Sequence, residues 1–347
     1  MVFVFIKHHL YRFWTIGKSF TFLYTLSEEK VDAFIDAYSI YDYDWKDTDL
    51  LTSKFGSNYY DVIKAKLVDW YSVINHLCAL GEVEKMYIPP LMDENVGILQ
   101  NQILFEEILA KDLNLNSNKS FLDIGCGRGK IAIHITQLTE ARCDGINLDP
   151  GQLENARNYA KYIGLENKCT FMVDDMNNIP LPIPDEQYDA IYQIQAFSLS
   201  KDLSALFKDI YRLLKPDGIF ACLDWVSLPN YCEDNQKHYN LMKAVKPLVG
   251  AIGTPTVPEY ISLLKQAGFK IKLATNLSKG GFQAPLIDKA DIFFNKVFWI
   301  IKFLVKLYIL PKHFTRLLKR LTQDGACFVE ADRLGLLTTS YYIVAQK

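Results

Sequence analysis

One run of residues constrains this chain more than any other: Phe121-Leu122-Asp123-Ile124-Gly125-Cys126-Gly127-Arg128-Gly129. It reads as a short apolar strand running into a glycine-rich turn, and an apolar helical stretch over 131–138 follows. Glycines at alternate positions accept positive φ and let the backbone approach a ligand, because no Cβ stands in the way. A strand, a glycine turn and a helix N-terminus in that order form a cradle of nucleotide type. The spacing is G-x-G-x-G rather than the dinucleotide G-x-G-x-x-G. No Lys-Ser/Thr pair follows, which argues against a phosphate-gripping P-loop.

The chain has 347 residues, which suits one α/β domain with additions, or two domains. Hydrophobic residues make up 50% and charged residues 22%, enough for a large core. The formal net charge of -2 argues against a nucleic-acid partner. Aromatics reach 13%, which suits an apolar pocket or a membrane-facing surface. The 7 cysteines, Cys78, Cys126, Cys143, Cys169, Cys222, Cys232 and Cys327, are odd in number and form no C-x-x-C. That argues against a disulfide framework or structural zinc and fits a reducing compartment. The histidines show no H-x-x-x-H or H-E-x-x-H spacing, so no metal site is expected.

Taken in order, residues 1–26 are rich in Phe, Tyr, Leu and Ile, but Lys7, Arg12 and Lys18 interrupt them. No run reaches the roughly 20 apolar residues of a membrane span. No small-residue cleavage site closes the segment as in a signal peptide. A helix lying on a membrane surface, or one packed on the domain, fits it. Residues 38–49, dense in Tyr and Asp with Trp45, read as an exposed loop. The spacing of Val62, Leu67, Trp70, Tyr71, Ile74 and Leu77 predicts a helix over 59–80, stopped at Gly81. Residues 82–90 end in Pro89-Pro90 and are neither helix nor central strand. A helix over 100–113 leads into the first strand.

From 119 to 228 strand and helix patterns alternate, which predicts a doubly wound, Rossmann-like parallel sheet of the α/β class. The strands fall at 120–124, 142–148, 169–173, 188–194 and 219–224. A helix over 203–214 stops at Lys215-Pro216-Asp217-Gly218. Residues 256–267 read as a helix closed by Gly268. In 292–310 the apolar run is broken by Asn295, Lys296, Lys302 and Lys306, which share roughly one helix face. Lys312, Arg316, Lys319 and Arg320 follow. This reads as an amphipathic membrane-contacting helix or a lid, or as buried packing. Residues 340–345 suit a final strand on the antiparallel edge. The organisation is then a helical, membrane-contacting cap over 1–99, a core over 100–270 and a C-terminal region over 271–347.

With Leu122-Asp123 before the glycines, the stretch resembles the first motif of class I S-adenosylmethionine (SAM)-dependent methyltransferases. Ile179-Pro180 through Tyr188-Asp189 and Tyr211 to Gly218 resemble later motifs of that family. The resemblance covers roughly 100–270 and implies SAM as cofactor. Asp123 would organise the loop and reach the cofactor's ammonium, with Gly125, Cys126, Gly127 and Gly129 forming the cradle. Asn147, ending strand two, would meet the ribose hydroxyls where an acid is commonest, with Gln152 as a second contact. Asp175 would accept from the adenine amino group beside the Met176 backbone amide, and Gln193 adds a contact from strand four. Singly, Asn147 and Asp149 also suit helix N-caps, and Asp174 or Asp175 a turn. Their order at consecutive strand ends, where open α/β sheets bind ligands, favours the cofactor.

The flanks resemble sterol methyltransferases. Tyr71-Ser72-Val73-Ile74 stands before the core, Leu223-Asp224-Trp225-Val226 follows strand five, and 317–347 resembles that family's C-terminal region. Two signatures depart from it. Glu84 to Pro90 keeps only Tyr87 as an aromatic, and in Gln193 to Leu199 an acid is replaced by Gln195 and a histidine by Leu199. These losses imply a methyl acceptor other than the side-chain carbon C24. The nematode-type enzymes, which methylate the sterol nucleus at C4, are the nearest picture. That chemistry needs a base: Asp224 is the first candidate, with Tyr87 and Glu84 after it, while Glu84 and Asp93 also read as solvated charges and His76 as a packed ring. A sterol or lipid substrate, peripheral contact with the endoplasmic reticulum or another internal membrane from the cytoplasmic side, and a homo-oligomer are consistent expectations. The alternatives are another small-molecule methyltransferase with a phosphobase or fatty-acyl acceptor, or a non-catalytic SAM- or lipid-binding protein.

Overall fold

A computed structural model describes residues 2–43, 45, 47–80 and 85–347, with side chains from residue 11 onward. The helical elements before the sheet are α1 (Val2–Tyr24), α2 (Glu28–Ala37), α3 (Thr48–Phe55), α4 (Tyr59–Leu80) and α5 (Ile98–Asp112). The alternating part runs β1 (Ser120–Ile124), α6 (Lys130–Thr139), β2 (Arg142–Asn147), α7 (Pro150–Ile163), β3 (Cys169–Val173), β4 (Tyr188–Ile194), α8 (Leu203–Leu213) and β5 (Leu214–Ser227). Then come α9 (Gln236–Val249), α10 (Val257–Gln266), β6 (Lys270–Asn276), α11 (Ala284–Lys306), α12 (His313–Thr322), α13 (Gly325–Arg333) and β7 (Leu337–Gln346). They form two compact units, each assembled from three separate stretches of chain: 1–86, 233–252 and 284–333 in one, and 87–232, 253–283 and 334–347 in the other.

The second unit holds a seven-stranded sheet in the order β3-β2-β1-β4-β5-β7-β6. The first five strands in chain order pair in parallel, and β7 runs antiparallel to both β5 and β6. The expected alternation is therefore present. The final strand is not the edge, however: β7 lies between β5 and β6, and β6 takes the edge. Lys270 to Asn276 alternates weakly and has no fully buried residue, so its sequence carries little strand signal, whereas β7 is buried along nearly its whole length, as an interior strand must be. Leu122, Ile124, Ile191, Phe207, Phe220 and Tyr260 are fully buried and belong to one core cluster on the sheet. Burial of such side chains stabilises by about 1.5–3 kcal/mol each, before conformational entropy is charged against it.

The first unit is helical. Its core gathers Leu23, Val31, Phe34, Trp70, Ile74, Leu77, Phe314 and Leu317. Local signals set its helix starts: Ser27 accepts from the Lys30 amide, and Asp47 from that of Leu50. The segment expected to be an exposed loop is, among its described residues, partly helical and partly buried. A short 3-10 turn spans Tyr38–Asp42, Ile40 and Tyr41 are buried, and both Tyr38 and Tyr41 meet Trp70 edge-on. Tyrosine hides an apolar ring behind a polar tip, so a run of Tyr and Asp reads as more exposed than it is. His76 sits in this unit, stacked on Phe22 with its Nδ1 3.0 Å from Ser19 Oγ.

Gly145 tests how tightly the sheet is packed beneath the turn. A Cβ there would stand 2.8 Å from both Cys126 Sγ and the Phe171 ring. Gly145→Ala should cost about 1–3 kcal/mol of stability, the usual scale for overpacking, read as a lower urea midpoint at unchanged slope.

Candidate active site

The order of strands reverses at β1, with β2 on one side and β4 on the other, and the glycine turn leaves its carboxyl end at that switch point. The Gly125 and Cys126 amides both donate to the Ile146 carbonyl (2.9 and 3.1 Å), which ties the turn to β2. The glycines are there for different reasons. A Cβ on Gly125 (φ 81°) would strike Ala196 at 2.7 Å, whereas one on Gly127 (φ 52°) would stand 3.4 Å from Gln152 Oε1. Gly129 packs against Phe171 and Ala156. So Gly127 is the position where a side chain would enter the crevice. Burial pushes the Cys126 thiol well up, which keeps it protonated and inert.

The expected ribose contacts are brought together. Asp149 caps α7, accepting from the Gly151 and Gln152 amides, and that start turns Gln152 back toward β2. Asn147 Nδ2 then donates to Gln152 Oε1 at 2.8 Å. Of the two N-cap candidates, Asp149 is the cap and Asn147 instead pairs with Gln152. Asp175, buried after β3, accepts from the Asn177 amide and side chain (3.0 and 3.1 Å), so it also orders its own turn. The Met176 side chain packs on the core of the sheet.

The charged residues lie deep. Asp123 accepts from Tyr192 Oη at 2.7 Å, and burial pushes its carboxyl up to about 7 against that bond, with a further rise from nearby Glu106. Asp224 is wrapped in donors. Gln193 Nε2 (2.9 Å) and Tyr260 Oη (2.8 Å) reach its Oδ2, and the Trp225 amide (2.9 Å) its Oδ1. Burial still raises it to about 6, although these donors and the Phe197 amide lower it. Gln193 is used at both ends, because its Oε1 accepts from the Ala196 amide at 2.8 Å.

Tyr87 donates to Glu106 Oε1 at 3.0 Å, and Glu106 Oε2 lies 2.5 Å from His134 Nδ1. Sequence reasoning missed Glu106 and His134. The available signal was the stripe Asn101, Gln102 and Glu106 on α5, polar residues that are fully buried on a helix otherwise apolar on that side. Gln195 was singled out for a lost charge. In the structure it is a clamp at positive φ (51°): its Oε1 accepts from the Ile88 amide, and its Nε2 donates to the Ile88 and Thr339 carbonyls. Asp93 accepts from Asn95. Glu84 lies outside the described residues. Among the described residues no group of His, Cys, Asp and Glu is placed to hold a metal ion.

Residues 121–218 match the family of methyltransferase domains. Over this stretch the chain carries a SAM-dependent methyltransferase domain. It is related to sterol methyltransferases: 32% identical over 166 residues to the sterol 24-C-methyltransferase erg6 of Aspergillus fumigatus, covering 48% of this chain and 44% of that one. It is 30% identical over 254 residues to sterol methyltransferase-like 3 of Botryococcus braunii, covering 72% and 64%. The chain thus spans about half the length of most of the relatives it matches. A solved methyltransferase from Galdieria sulphuraria, described as a putative sarcosine dimethylglycine methyltransferase, superposes with a TM-score of 0.61 at 18% identity, over 80% of this chain and 97% of that one. The cyclopropane synthase MmaA2 of Mycobacterium tuberculosis does so at 0.61 and 14%, over 76% and 90%. At such identities the likeness speaks for the fold alone.

The methyltransferase cradle fits SAM on its own chemistry. Gly127 carries no Cβ on the turn, and Asn147 and Gln152 stand side by side with amide groups of the kind that pair with hydroxyls. Gly127→Val should abolish SAM binding in calorimetry, and unchanged affinity would rule this cradle out. Asp123 and Asp224 also make a stability prediction. Both folded pKa values lie above the ordinary carboxyl range, so the folded state holds the proton more tightly. The stability they contribute is fully present below about pH 4 and is lost as pH rises through about 6 and 7. Urea midpoints of Asp123→Asn should fall less than those of the wild type across that window.

Proposed function

We propose that this methyltransferase transfers the methyl of SAM to a carbon of a sterol, at C4 of the nucleus rather than C24 of the side chain. The observation that carries the reading is a cradle fitted to SAM in a chain whose relatives are named as sterol methyltransferases. SAM supplies an electrophilic methyl on a sulfonium. The residues of the chain then have to bind, orient, exclude water and handle one proton.

Charge at the site favours C4. Methylating an isolated alkene leaves a cation, which needs a carboxylate or aromatic face nearby. At position 195 this chain has an amide, and both ends of it are spent on the backbone. A carboxylate cannot donate to the Ile88 and Thr339 carbonyls, so the clamp requires Gln. An enolate formed next to a 3-keto group needs a base instead. Asp224 lies within β5, and although burial raises its carboxyl to about 6, both its oxygens are already engaged by Gln193, Tyr260 and the Trp225 amide. The Tyr87–Glu106–His134 chain has the buried carboxylate and imidazole to accept one and pass it outward, since His134 is only partly buried. We assign proton removal to that chain. We also place the protein peripherally at the cytoplasmic face of an internal membrane such as the endoplasmic reticulum; among the described residues no helix is long and apolar enough to cross one.

Incubation with methyl-labelled SAM and 3-keto sterols, followed by mass spectrometry, should place the label in the ring system. Label in the side chain would overturn C4, and no labelled sterol would overturn the substrate class. Glu106→Gln should lower turnover by roughly 100-fold or more with SAM affinity little changed. Normal turnover in Glu106→Gln, with loss in Asp224→Asn, would return the base to Asp224.

A further inference from the structure

The helical unit leaves a large apolar surface uncovered. On α11 one side packs inward through Ile301, Leu304 and Val305 against the core of the unit. The opposite side carries Trp299, Ile300 and Phe303, continued by Leu307 just past the helix end, each at least half exposed. A helix that is apolar all round belongs in a core or against a second apolar phase. The chain then turns at Tyr308. The Ile309 amide donates to the Leu304 carbonyl and that of Tyr308 to Val305, a Schellman end with Tyr308 at φ 58°. Glycine is the usual residue there, because a side chain at positive φ is strained. Here the position holds a tyrosine that is 89% exposed, followed by the exposed Ile309. The backbone strain is spent on displaying a large aromatic at the tip of a hairpin.

Charge decides what covers this surface. From residue 292 to 323 there are seven basic residues and no acidic one, in a chain whose net charge is -2. Arg316 is paired with Glu28 and Asp32, and Arg320 with Asp324. Lys296, Lys302 and Lys306 are exposed on α11, and the Lys302 ammonium lies 4.7 Å from the Trp299 ring centre. Exposed apolar and aromatic side chains with long lysines beside them, and no acid among them, match the acyl–headgroup boundary of an anionic bilayer. An ordinary protein interface is instead poor in lysine. The α1 helix of the same unit adds a second exposed stripe, Phe13, Phe20 and Tyr24, with Lys18 beside Trp14.

We infer that the α11 face and the 307–309 tip form a membrane-docking surface for anionic lipid, with the Trp and Tyr rings in the boundary and the lysines on the headgroups. The inference rests on the peripheral location proposed above and names the surface that produces it. It is tested by flotation of the full chain with phosphatidylcholine vesicles, with and without phosphatidylserine. Wild type should float with the mixed vesicles, less with phosphatidylcholine alone, and less as salt rises. Trp299→Glu/Phe303→Glu should cut the bound fraction at least tenfold, and Lys302→Glu/Lys306→Glu should remove most of the phosphatidylserine dependence. All these positions are exposed, and SAM affinity by calorimetry checks that each variant is folded. If wild type floats with neither vesicle, both the location and the surface fall. If wild type floats and the variants float equally, the location stands and this surface is wrong. If the glutamate variants instead convert a wild-type dimer to monomers in light scattering, the face binds a second copy and the inference is overturned.

Discussion

The site depends on the place where β1 ends. The strand is buried and paired on both sides, so its backbone hydrogen bonds are spent within the sheet and its carboxyl end is held fixed. The turn that follows must leave the sheet at once and start α6 within a few residues. Glycine at 125, 127 and 129 makes that path possible, and the bonds from Gly125 and Cys126 to Ile146 fix it to β2. The cradle is therefore rigid because the sheet is rigid, and the side chains of β2, β4 and β5 inherit their places from it.

Burial is the second constraint. Asp123, Glu106 and Asp224 lie almost wholly out of water, where an unpaired carboxylate is strongly disfavoured. Each is surrounded by donors: Tyr192 for Asp123, Tyr87 for Glu106, with His134 beside its other oxygen, and Gln193, Tyr260 and a backbone amide for Asp224. The tyrosines are held in turn as neutral donors, since burial and the adjacent carboxylates push their pKa values well up. These buried carboxyl groups are thus stabilised by the hydroxyls and amides around them.

The two units answer different physical demands. The sheet unit closes its polar groups on one another, as the fully hydrogen-bonded cluster of Gln283, Thr338, Thr339 and Ser340 shows. The helical unit has enough apolar residues to fill its own core and more besides. Its surplus aromatic and aliphatic side chains appear on α1 and α11 in stripes rather than singly, which is why they carry an argument that scattered exposed residues would not.

The sequence by itself determined the α/β sheet, the glycine turn at the end of β1 and the neighbouring placement of Asn147 and Gln152. The strands at 120–124, 169–173 and 188–194 and the helix over 59–80 have the bounds their patterns imply, because short apolar runs between turn residues and a long periodic helix are local signals. Asn147 and Gln152 were legible for the same reason, being set by one strand end and one helix cap. Tertiary structure alone decided the rest. It placed β7 inside the sheet and β6 at its edge, a matter of pairing between strands about 70 residues apart. It brought Glu106 to His134 across two helices, and it turned Gln195 from a missing acid into a backbone clamp on Ile88, more than a hundred residues away. Such contacts depend on which side chains the packed sheet leaves facing one another, and no spacing along the chain encodes that.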